Sequence, residues 1–418
     1  MKYQKQAIII VGAYSSGYKL APAFLGRGYQ CIHIDVSTEI AANYNQDNFF
    51  SHQFSLNSEK SQTLDTILEQ LKAYSIKAVI AASEWGVLIA DEIAAYFNVP
   101  QNCIERSIAR RHKFHMIDAL RKANVPCAKQ FHSQSLEEII EWYRLNNIKK
   151  VVMKPPMGAY SDGVGICQSE TEIKSIFNKN INQKNFTGDI NDEYVIQEYL
   201  DGQHFVVNAV SVDGLHFITD IWEDINHHEG TYLIDEYSEL LSRDDINFQI
   251  LADYTYKALD ALGIRSGPSH SEVKLTSDGP KLIETGARLA GGLDFSVVEE
   301  GNGFSQLSLT IDSILNPDLF IQRINLYQQI KSKKIRFIYM FSQVEGKITK
   351  SINLDIFKPI TGLMSINFLL NANDSLGKTK FSVGHPGYAM LLRDNTSLLD
   401  KDYQQFREIE AEFFQELI

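Results

Sequence analysis

Two glutamates and an arginine between residues 269 and 292 are the strongest candidates for chemistry. Glu272 and Glu284 lie in two short apolar runs of strand character that are separated by a turn. If the runs pair as antiparallel strands, the two carboxylates can meet across the pair, and such a pair beside triphosphate oxygens suits Mg²⁺. Arg288, on the glycine-rich turn that follows, could contact a transferring phosphoryl group or an acyl oxyanion. Two solvent-facing glutamates on a hairpin are the alternative.

A lysine followed by a glycine-rich segment is the second candidate. Lys154 ends a predicted strand, and residues 155–165 contain Gly158, Gly163 and Gly165. Glycine lets backbone N–H groups approach phosphate oxygens closely, and a lysine at a strand end supplies a fixed positive charge. The pattern is not a Walker loop, because no Gly-Lys-Ser/Thr sequence follows. An ordinary hairpin with a surface lysine is the alternative.

The third candidate is a strand that breaks into a turn. The sequence VIQEYLDG occupies residues 195–202. The backbone of such a segment can present N–H and C=O groups to the edge of an adenine ring, with the carboxylate of Glu198 nearby. A strand that simply leaves a sheet has the same pattern.

The elements that must position these residues predict an α/β protein. In the first hundred residues, apolar strands alternate with helices, which is typical of a doubly wound unit. The strands lead into Gly12–Gly17, Asp35 and Ser83–Gly86. Strands are predicted at residues 7–11, 31–35, 78–82, 151–154, 194–199, 204–212, 271–275 and 281–284. Helices are predicted at about residues 108–123, 136–146, 254–262 and 303–315. The strands at 194–199 and 204–212 are expected to pair with each other, and the last ninety residues are expected to form short strands.

Loop positions divide the chain into four predicted regions. Residues 1–108 form an N-terminal βαβ domain, and residues 109–199 form a small subdomain with the glycine-rich loop. Residues 200–325 form a large subdomain with the candidate metal and catalytic residues. Residues 326–418 form an α+β region that completes the substrate pocket.

Composition narrows the class of protein. The chain has 418 residues, 44% of them hydrophobic, so it can bury more than one core. Its four cysteines form no CxxC pair, which favours a reducing compartment over a structural zinc site. A net charge of −12 without a basic stripe argues against a nucleic-acid partner. No run of eighteen apolar residues and no cleavable leader are apparent, so we expect a cytoplasmic protein without a membrane partner.

Taken in order, the motifs resemble those of a known family. MKP with its glycine loop, QEYLDG, GPSHSEVKL and IETGARLAGG resemble the ATP-grasp superfamily and, within it, the L-amino-acid ligases that make dipeptides. The resemblance covers most of the chain and implies an ATP-grasp fold with a Rossmann-like N-terminal domain. It also implies a ligase that uses ATP and Mg²⁺, or Mn²⁺ in its place, to activate a carboxylate as an acyl phosphate for attack by an amine. Amino acids are the implied substrates, and a homodimer is compatible with the family.

The resemblance also implies residue roles. The ATP-contacting residues are Lys113, Lys154, Ser161, Asp162, Gly163, Gln197, Glu198, Tyr199, Leu200 and His204. Glu272 and Glu284 are the implied magnesium ligands, and Arg288 is implied to stabilise the acyl phosphate. His270 is expected to accept the proton of the amine or to hold the second substrate, although a purely structural histidine is the alternative.

Two positions depart from the family pattern. His204 stands where the superfamily often has a ribose-binding glutamate, which leaves the ribose contact open. Gly286 stands where many members have a metal-binding asparagine, which implies that Glu284 bridges the metals with less help.

Substrate choice depends on weaker signals. Glu84 lies at a strand-to-helix junction of the first domain, where it could pair with an ammonium or guanidinium group. Together with acids at residues 223–229 and 374, it predicts that one substrate is arginine or lysine, with Gly291 also lining the substrate site. A glutamate that starts a helix and a solvated acidic face are the alternatives.

Three other functions compete with this prediction. A nucleotide-dependent oxidoreductase would use Asp35 as its ribose ligand, but Gly12 and Gly17 lack the GxGxxG spacing. An ATP-grasp ligase for a different carboxylate would share the nucleotide site. A non-enzymatic scaffold would be expected to lose the charged set, which is present here.

Overall fold

The computed structural model describes residues 6–37, 49–56, 62–159, 161–229, 232–327, 329–379 and 384–418. Within these ranges the chain forms four β-sheets with α-helices packed against them. The strands are β1 (Gln6–Val11), β2 (Gln30–Asp35), β3 (His52–Ser55), β4 (Ser75–Ala81), β5 (Gln130–Ser133), β6 (Val151–Lys154), β7 (Gly165–Cys167), β8 (Tyr194–Glu198), β9 (Gln203–Val212), β10 (Leu215–Glu229), β11 (Tyr232–Leu240), β12 (Gly267–Thr276), β13 (Gly279–Gly286), β14 (Lys334–Tyr339), β15 (Gly346–Lys347), β16 (Leu363–Phe368), β17 (Ser375–Leu376) and β18 (Gly387–Arg393).

The α-helices are α1 (Leu20–Leu25), α2 (Leu64–Leu71), α3 (Val87–Phe97), α4 (Lys113–Lys122), α5 (Leu136–Asn146), α6 (Glu170–Asn180), α7 (Ile246–Ala261), α8 (Phe295–Asn302), α9 (Gln306–Leu315), α10 (Pro317–Tyr327) and α11 (Thr396–Leu417). Short 3₁₀ segments lie at Ser15–Lys19, Glu84–Gly86, Ile104–Arg110 and Leu354–Phe357. None of the helices in the described ranges combines the length and the apolar composition that crossing a bilayer requires.

The N-terminal sheet has parallel strands in the order β3-β2-β1-β4. Residues 7–11 of the central strand β1 are fully buried, as expected for a parallel sheet that is covered on both faces. The predicted βαβ unit is therefore confirmed. The loops that follow β1 and β4 place Gly12–Gly17 and Glu84 at the carboxyl edge of this sheet.

A small antiparallel sheet has the strand order β5-β8-β6-β7. The helices α5 and α6 bury apolar side chains against it, including Ile139 and Phe177. Each helix begins at a serine whose hydroxyl accepts a hydrogen bond from a backbone N–H of the first turn, which stabilises the helix start. This sheet carries Lys154 at the end of β6 and Gln197 in β8.

The largest sheet has eight strands in the order β13-β12-β9-β10-β11-β14-β18-β16. All of its pairs are antiparallel. The strands β14, β16 and β18 come from the last ninety residues, so the sheet continues across residue 325. The four regions therefore remain a proposed division of the sequence, and the last two of them share one sheet.

The structure corrects the predicted pairing of residues 194–199 with residues 204–212. The strand β8 pairs with β5 and β6, whereas β9 pairs with β10 and β12 in the large sheet. The turn between them takes the chain from one sheet to the other past β12. A Cβ on Gly202 would lie only 2.2 Å from the carbonyl oxygen of Leu275, so the turn needs glycine at this close approach.

The predicted helix at 108–123 is also divided. The 3₁₀ segment ends at Arg110, and α4 begins only at Lys113. His112 caps α4, because its Nδ1 accepts a hydrogen bond from the N–H of His115 at 3.4 Å. The break places Lys113 in the first turn of α4 and turns the buried Arg111 toward the N-terminal domain.

Sequence reasoning missed the longest described helix, α11. Its buried residues Leu399, Tyr403, Phe406 and Phe413 pack with the C-terminal strands. Their spacing of three, four and seven residues is typical of an amphipathic helix and is the signal that predicts it.

Candidate active site

The two predicted metal ligands lie directly opposite each other. Glu272 of β12 pairs in register with Glu284 of β13, as the hairpin spacing predicted. Lys113 forms an ion pair with Glu284 at 3.0 Å, where the glutamate side chain is 34% exposed. Burial opposes ionisation of Glu284, but Lys113, Lys154 and Arg288 outweigh burial and lower its pKa. Glu284 is therefore available as a charged oxygen ligand at one edge of the large sheet, with the carboxylate of Glu272 opposite it.

Lys113 and Lys154 approach the same carboxylates from two other elements. The Nζ of Lys113, at the start of α4, donates to the carbonyl of Gly158 at 2.6 Å and so also contacts the glycine loop. Lys154 is 4% exposed, and its Nζ donates to Oε1 of Gln197 at 2.9 Å. Burial lowers the pKa of Lys154 to about 8, and the charge of Lys113 adds to this shift. The structure thus brings together both predicted ATP lysines.

The predicted adenine hinge has its first backbone donors already engaged. The N–H of Glu198 donates to the carbonyl of Lys129 at 2.9 Å, and the N–H of Tyr199 donates to that of Lys150 at 3.0 Å. The ammonium of Lys150 lies 3.5 Å from the centre of the Tyr199 ring. These contacts fix the turn next to Leu200, which is buried. An adenine ring would therefore have to use other backbone groups than these two N–H groups.

The glycine loop is shaped by two residues with positive φ. Ser161 has φ of 55° and Gly163 has φ of 69°. A Cβ on Gly163 would lie 2.8 Å from the hydroxyl of Tyr194, so this position needs glycine on both grounds. Asp162 has a partner within the protein, because its Oδ2 accepts a hydrogen bond from the N–H of Phe186 at 2.6 Å. Tyr160, within the predicted loop, lies outside the described residues.

His204 lies between two carboxylates. Its Nδ1 is 3.0 Å from Asp224, and its Nε2 is 3.6 Å from Glu272. Burial alone would lower the pKa of His204, but the hydrogen bonds and charges of Asp224 and Glu272 outweigh burial and raise it. Both ring nitrogens thus face protein groups, so the structure gives His204 a contact to Glu272, a predicted metal ligand. Its role at the ribose stays a prediction.

Arg288 is joined to the N-terminal domain through Glu84. The Nε of Arg288 lies 3.2 Å from Oε2 of Glu84, and Nη1 of Arg111 lies 3.1 Å from Oε1. Arg111 also donates to the carbonyl of Met157 at 3.0 Å, at the start of the glycine loop. Each oxygen of Glu84 therefore has an arginine partner from the chain itself.

The departure at Gly286 has a structural explanation in this ion pair. A Cβ on Gly286 would lie 3.0 Å from Oε2 of Glu84 and 3.2 Å from Cζ of Arg288. The space that an asparagine side chain would take is thus occupied by Glu84 and Arg288. Gly291 is less crowded, since among the described residues a Cβ there would meet only Ser15 Oγ, at 3.9 Å.

His270 is held in one tautomer by a buried chain of polar groups. Asn208 donates from Nδ2 to Asp220 at 2.5 Å, so its Oδ1 faces Nδ1 of His270 at 2.9 Å. Nδ1 must then carry the proton, which leaves Nε2 as a hydrogen-bond acceptor. Burial lowers the pKa of His270 to about 4, and the charge of Arg288 adds to this shift. The imidazole is therefore neutral near pH 7.

Three residues of this arrangement escaped sequence reasoning: Arg111, Asn208 and Asp220. Arg111 belongs to the basic run that precedes Lys113. Its side chain points away from those of its neighbours because the chain breaks between the 3₁₀ segment and α4. Asn208 and Asp220 are 0% and 2% exposed within otherwise apolar strands. A polar residue that interrupts an apolar strand is the signal that points to such a buried network.

The donor set fits a magnesium ion that is shared with phosphate oxygens. Among the described residues, no three His, Cys, Asp or Glu side chains converge as a preformed metal cage. Mg²⁺ is usually held by one or two carboxylates together with substrate phosphates, and Glu272 with Glu284 supplies that number.

Comparison with known proteins decides the family. The model of the ATP-grasp domain matches residues 148–295. Dapdiamide A synthase of Enterobacter agglomerans is 33% identical over 413 residues, which cover 98% of this chain and 97% of that protein. The chain belongs to the ATP-grasp family. The resemblance deduced from the motifs is confirmed.

Solved structures share the fold of this ATP-grasp chain over nearly its whole length. L-amino acid ligase from Bacillus licheniformis has a TM-score of 0.76 at 15% identity, over 97% of this chain and 98% of that one. Carboxyaminoimidazole ribonucleotide synthase from Aspergillus clavatus, complexed with ATP, has a TM-score of 0.69 at 13% identity, over 98% of this chain and 99% of that one. The ATP-grasp α/β fold is confirmed. The chain is an ATP-dependent ligase that forms C–N bonds, which excludes the oxidoreductase and scaffold interpretations.

Proposed function

We propose that this ATP-grasp ligase joins two L-amino acids into a dipeptide and releases ADP and phosphate. The first amino acid is activated when its carboxylate oxygen attacks the γ-phosphorus of ATP and the bond to ADP breaks. The amine of the second amino acid then attacks the acyl carbon, and phosphate leaves. This is the acid-amino-acid ligase activity that the motifs predict.

One observation carries this proposal: a cation and a neutral proton acceptor lie beside the carboxylate pair on adjacent strands. Arg288 follows β13 two residues after Gly286, and Gly286 pairs in register with His270. Two residues away along the same strands, Glu272 pairs with Glu284. Acyl-phosphate formation needs neutralised phosphates, whereas amide formation needs a stabilised oxyanion and an exit for a proton.

The residues divide these tasks according to their charge. Lys113 and Lys154 would hold the triphosphate, and Glu272 with Glu284 would hold Mg²⁺, or Mn²⁺ in its place. When bound, the metal supplies charge neutralisation on the phosphate oxygens. Arg288 would stabilise the negative charge of the acyl phosphate and of the tetrahedral adduct.

His270 would take the proton of the attacking amine. Its Nε2 is the acceptor position of a neutral ring, and the Asn208 contact fixes the orientation of that ring. The proton would be taken as the amide forms, from the tetrahedral adduct, because the lowered pKa of His270 makes the ring too weak a base to deprotonate a free ammonium group.

A basic amino acid as one substrate is a second candidate, and it rests on Glu84 and the acids of the sequence. In the described structure Glu84 already binds Arg111 and Arg288. A substrate guanidinium or ammonium would have to replace one of these partners. We therefore treat Glu84 first as a residue that positions Arg288, and basic specificity as a separate prediction.

The decisive experiment is incubation with Mg-ATP and a pool of the twenty amino acids, with ADP, AMP and phosphate measured beside dipeptide masses. We expect ADP, phosphate and at least one dipeptide in equal amounts. AMP with pyrophosphate would contradict the acyl-phosphate route. ADP without any dipeptide would move the search to another carboxylate or amine.

The same assay tests the basic-substrate prediction with Glu84→Gln, which keeps the shape of the side chain but removes its charge. If Glu84 selects arginine or lysine, their products should fall relative to neutral dipeptides. If Glu84 only positions Arg288, all products should fall by the same factor.

A further inference from the structure

We infer that a turn of the small subdomain, residues 182–191, positions the glycine loop by connecting it to Trp85 of the N-terminal domain. We call this segment the bridging turn. The residues concerned are Trp85 and Thr187, neither of which belongs to a recognised ATP-grasp motif. The inference concerns regulation of the proposed site, and its dipeptide readout rests on the proposed function.

The bridging turn is stiffened by its own hydrogen bonds. The side chain of Asn185 is buried, and its Oδ1 accepts the backbone N–H groups of Thr187 and Asp189, each at 3.0 Å. Its Nδ2 donates to Oδ1 of the buried Asn191 at 3.0 Å. The bridge between Lys184 and Ile190 closes the turn. The turn can therefore transmit a displacement at its tip instead of absorbing it.

One side of the bridging turn holds the glycine loop, which is described at residues 157–159 and 161–165. The N–H of Phe186 donates to Asp162 at 2.6 Å. The hydroxyl oxygen of Thr187 lies 3.2 Å from the carbonyl of Met157, and its single hydrogen is shared with nearer acceptors on Asp189 at 2.7 Å and Asn185 at 2.8 Å. These contacts reach the loop at its start, Met157, and in its second half, Asp162, so the turn sets where the loop stands over the phosphate site.

The other side of the bridging turn contacts the loop that carries Glu84. The Nε1–H of Trp85 donates to the carbonyl of Thr187 at 3.1 Å. The ring of Trp85 also lies 6.1 Å from that of Phe186, centre to centre. Arg111 reaches Asp189 at 3.8 Å and binds Glu84 with its other terminal nitrogen. The amino-acid side of the site is thus connected to the phosphate side through the tip of this turn.

This connection has a chemical purpose in an acyl-phosphate ligase. Water that reaches the acyl phosphate would hydrolyse it, and the ATP would then be consumed without product. A glycine loop that is positioned through the Glu84–Trp85 segment closes only when that segment is in place. The bridging turn therefore couples phosphate coverage to the state of the amino-acid side.

Two substitutions test the connection at its two ends. Trp85→Phe removes the indole donor and keeps an aromatic ring. Thr187→Val removes the hydroxyl, with its contacts to Met157, Asn185 and Asp189, and keeps the branched shape. Trp142→Phe in α5 and Thr171→Val in α6 are matched controls in the same subdomain. Loss of one hydrogen bond should shift the open–closed equilibrium of the loop by about fivefold.

The first readout uses nucleotide alone. Hydrogen exchange of the loop amides is compared with and without Mg-ADP. We expect the protection given by nucleotide to fall about fivefold in Trp85→Phe and in Thr187→Val, and to stay at the wild-type level in both controls. Since nucleotide binding does not depend on dipeptide formation, this result stands even if the proposed function fails.

The second readout is the ratio of ADP to dipeptide, which a residue with only a structural role would leave unchanged. We expect the ratio to rise about fivefold in both test variants and not in the controls. Wild-type protection and wild-type coupling in Thr187→Val would overturn the inference, and this variant decides alone if Trp85→Phe does not fold.

Discussion

The two halves of the proposed active site are built differently. On the nucleotide side, Lys154, Glu272 and Glu284 come from strands, and Lys113 comes from the first turn of a helix. On the amino-acid side, Glu84 and Arg288 come from a short 3₁₀ segment and a turn, and they meet across a sequence separation of 204 residues. Regular elements fix the first set through register, whereas the second set depends on how separate regions pack.

This difference decides where variation is tolerated. A strand pair cannot shift by one residue without turning its side chains to the other face, so the carboxylate pair is tied to the sheet. Loops can change length and direction while the sheets stay in place. We therefore expect the nucleotide side to set the chemistry and the amino-acid side to set the substrates.

The largest effect should come from the carboxylate pair. Glu284→Gln removes a proposed metal ligand and the charged partner of Lys113, so turnover measured by ADP release should fall by about 10²- to 10³-fold. Glu300→Gln, at an exposed glutamate of α8, should remain at the wild-type rate. If Glu284→Gln retained most of its activity, the strand-built half would not be the one that fixes the chemistry.

A smaller and more selective effect is expected from His270→Gln. The dipeptide rate should fall by about 10²-fold, because the attacking amine would lose its proposed proton acceptor. Hydroxylamine attacks in its uncharged form, so hydroxamate formation from the same acyl phosphate should fall much less. Equal losses with both nucleophiles would place His270 in the activation step or in folding instead.

The pH dependence of ATP use should expose the buried lysine. Burial lowers the pKa of Lys154 to about 8, so the side chain is charged below that pH and becomes neutral above it. The kcat/KM for ATP, which reports the free enzyme, should fall as pH rises through about 8. Lys154→Arg should flatten this alkaline limb, because the guanidinium stays charged. An alkaline limb that is identical in wild type and Lys154→Arg would assign it to another group.

The smallest effects compare two glycines of the amino-acid side. Gly286→Ala pushes a methyl group against Glu84 and Arg288, so kcat should fall by about tenfold through misplacement of the guanidinium. Gly291→Ala meets only Ser15 at an ordinary contact distance and should change kcat by less than about twofold. Similar values for the two variants would show that the ion pair has more room than its packing indicates.

The sequence predicts the geometry of the proposed nucleotide side well, because local pattern and chemistry coincide there. The hairpin spacing places Glu272 opposite Glu284, and the strand end places Lys154, without knowledge of distant contacts. It predicts the amino-acid side poorly, because the two arginine partners of Glu84 lie far away in the chain. The wrong pairing of β8 with β9 has the same cause, since local strand signals carry no information about which sheet a strand joins.

The contact of Gly286 with Glu84 and Arg288 has a consequence for descent. An asparagine at residue 286 and the present acid at residue 84 would compete for one volume, since a Cβ there already lies 3.0 Å from the carboxylate. The residues at positions 84 and 286 should therefore change together among relatives. A lineage that acquires a longer side chain at 286 would first have to withdraw or shorten the acid at 84, and the reverse order would pass through ancestors with a displaced arginine.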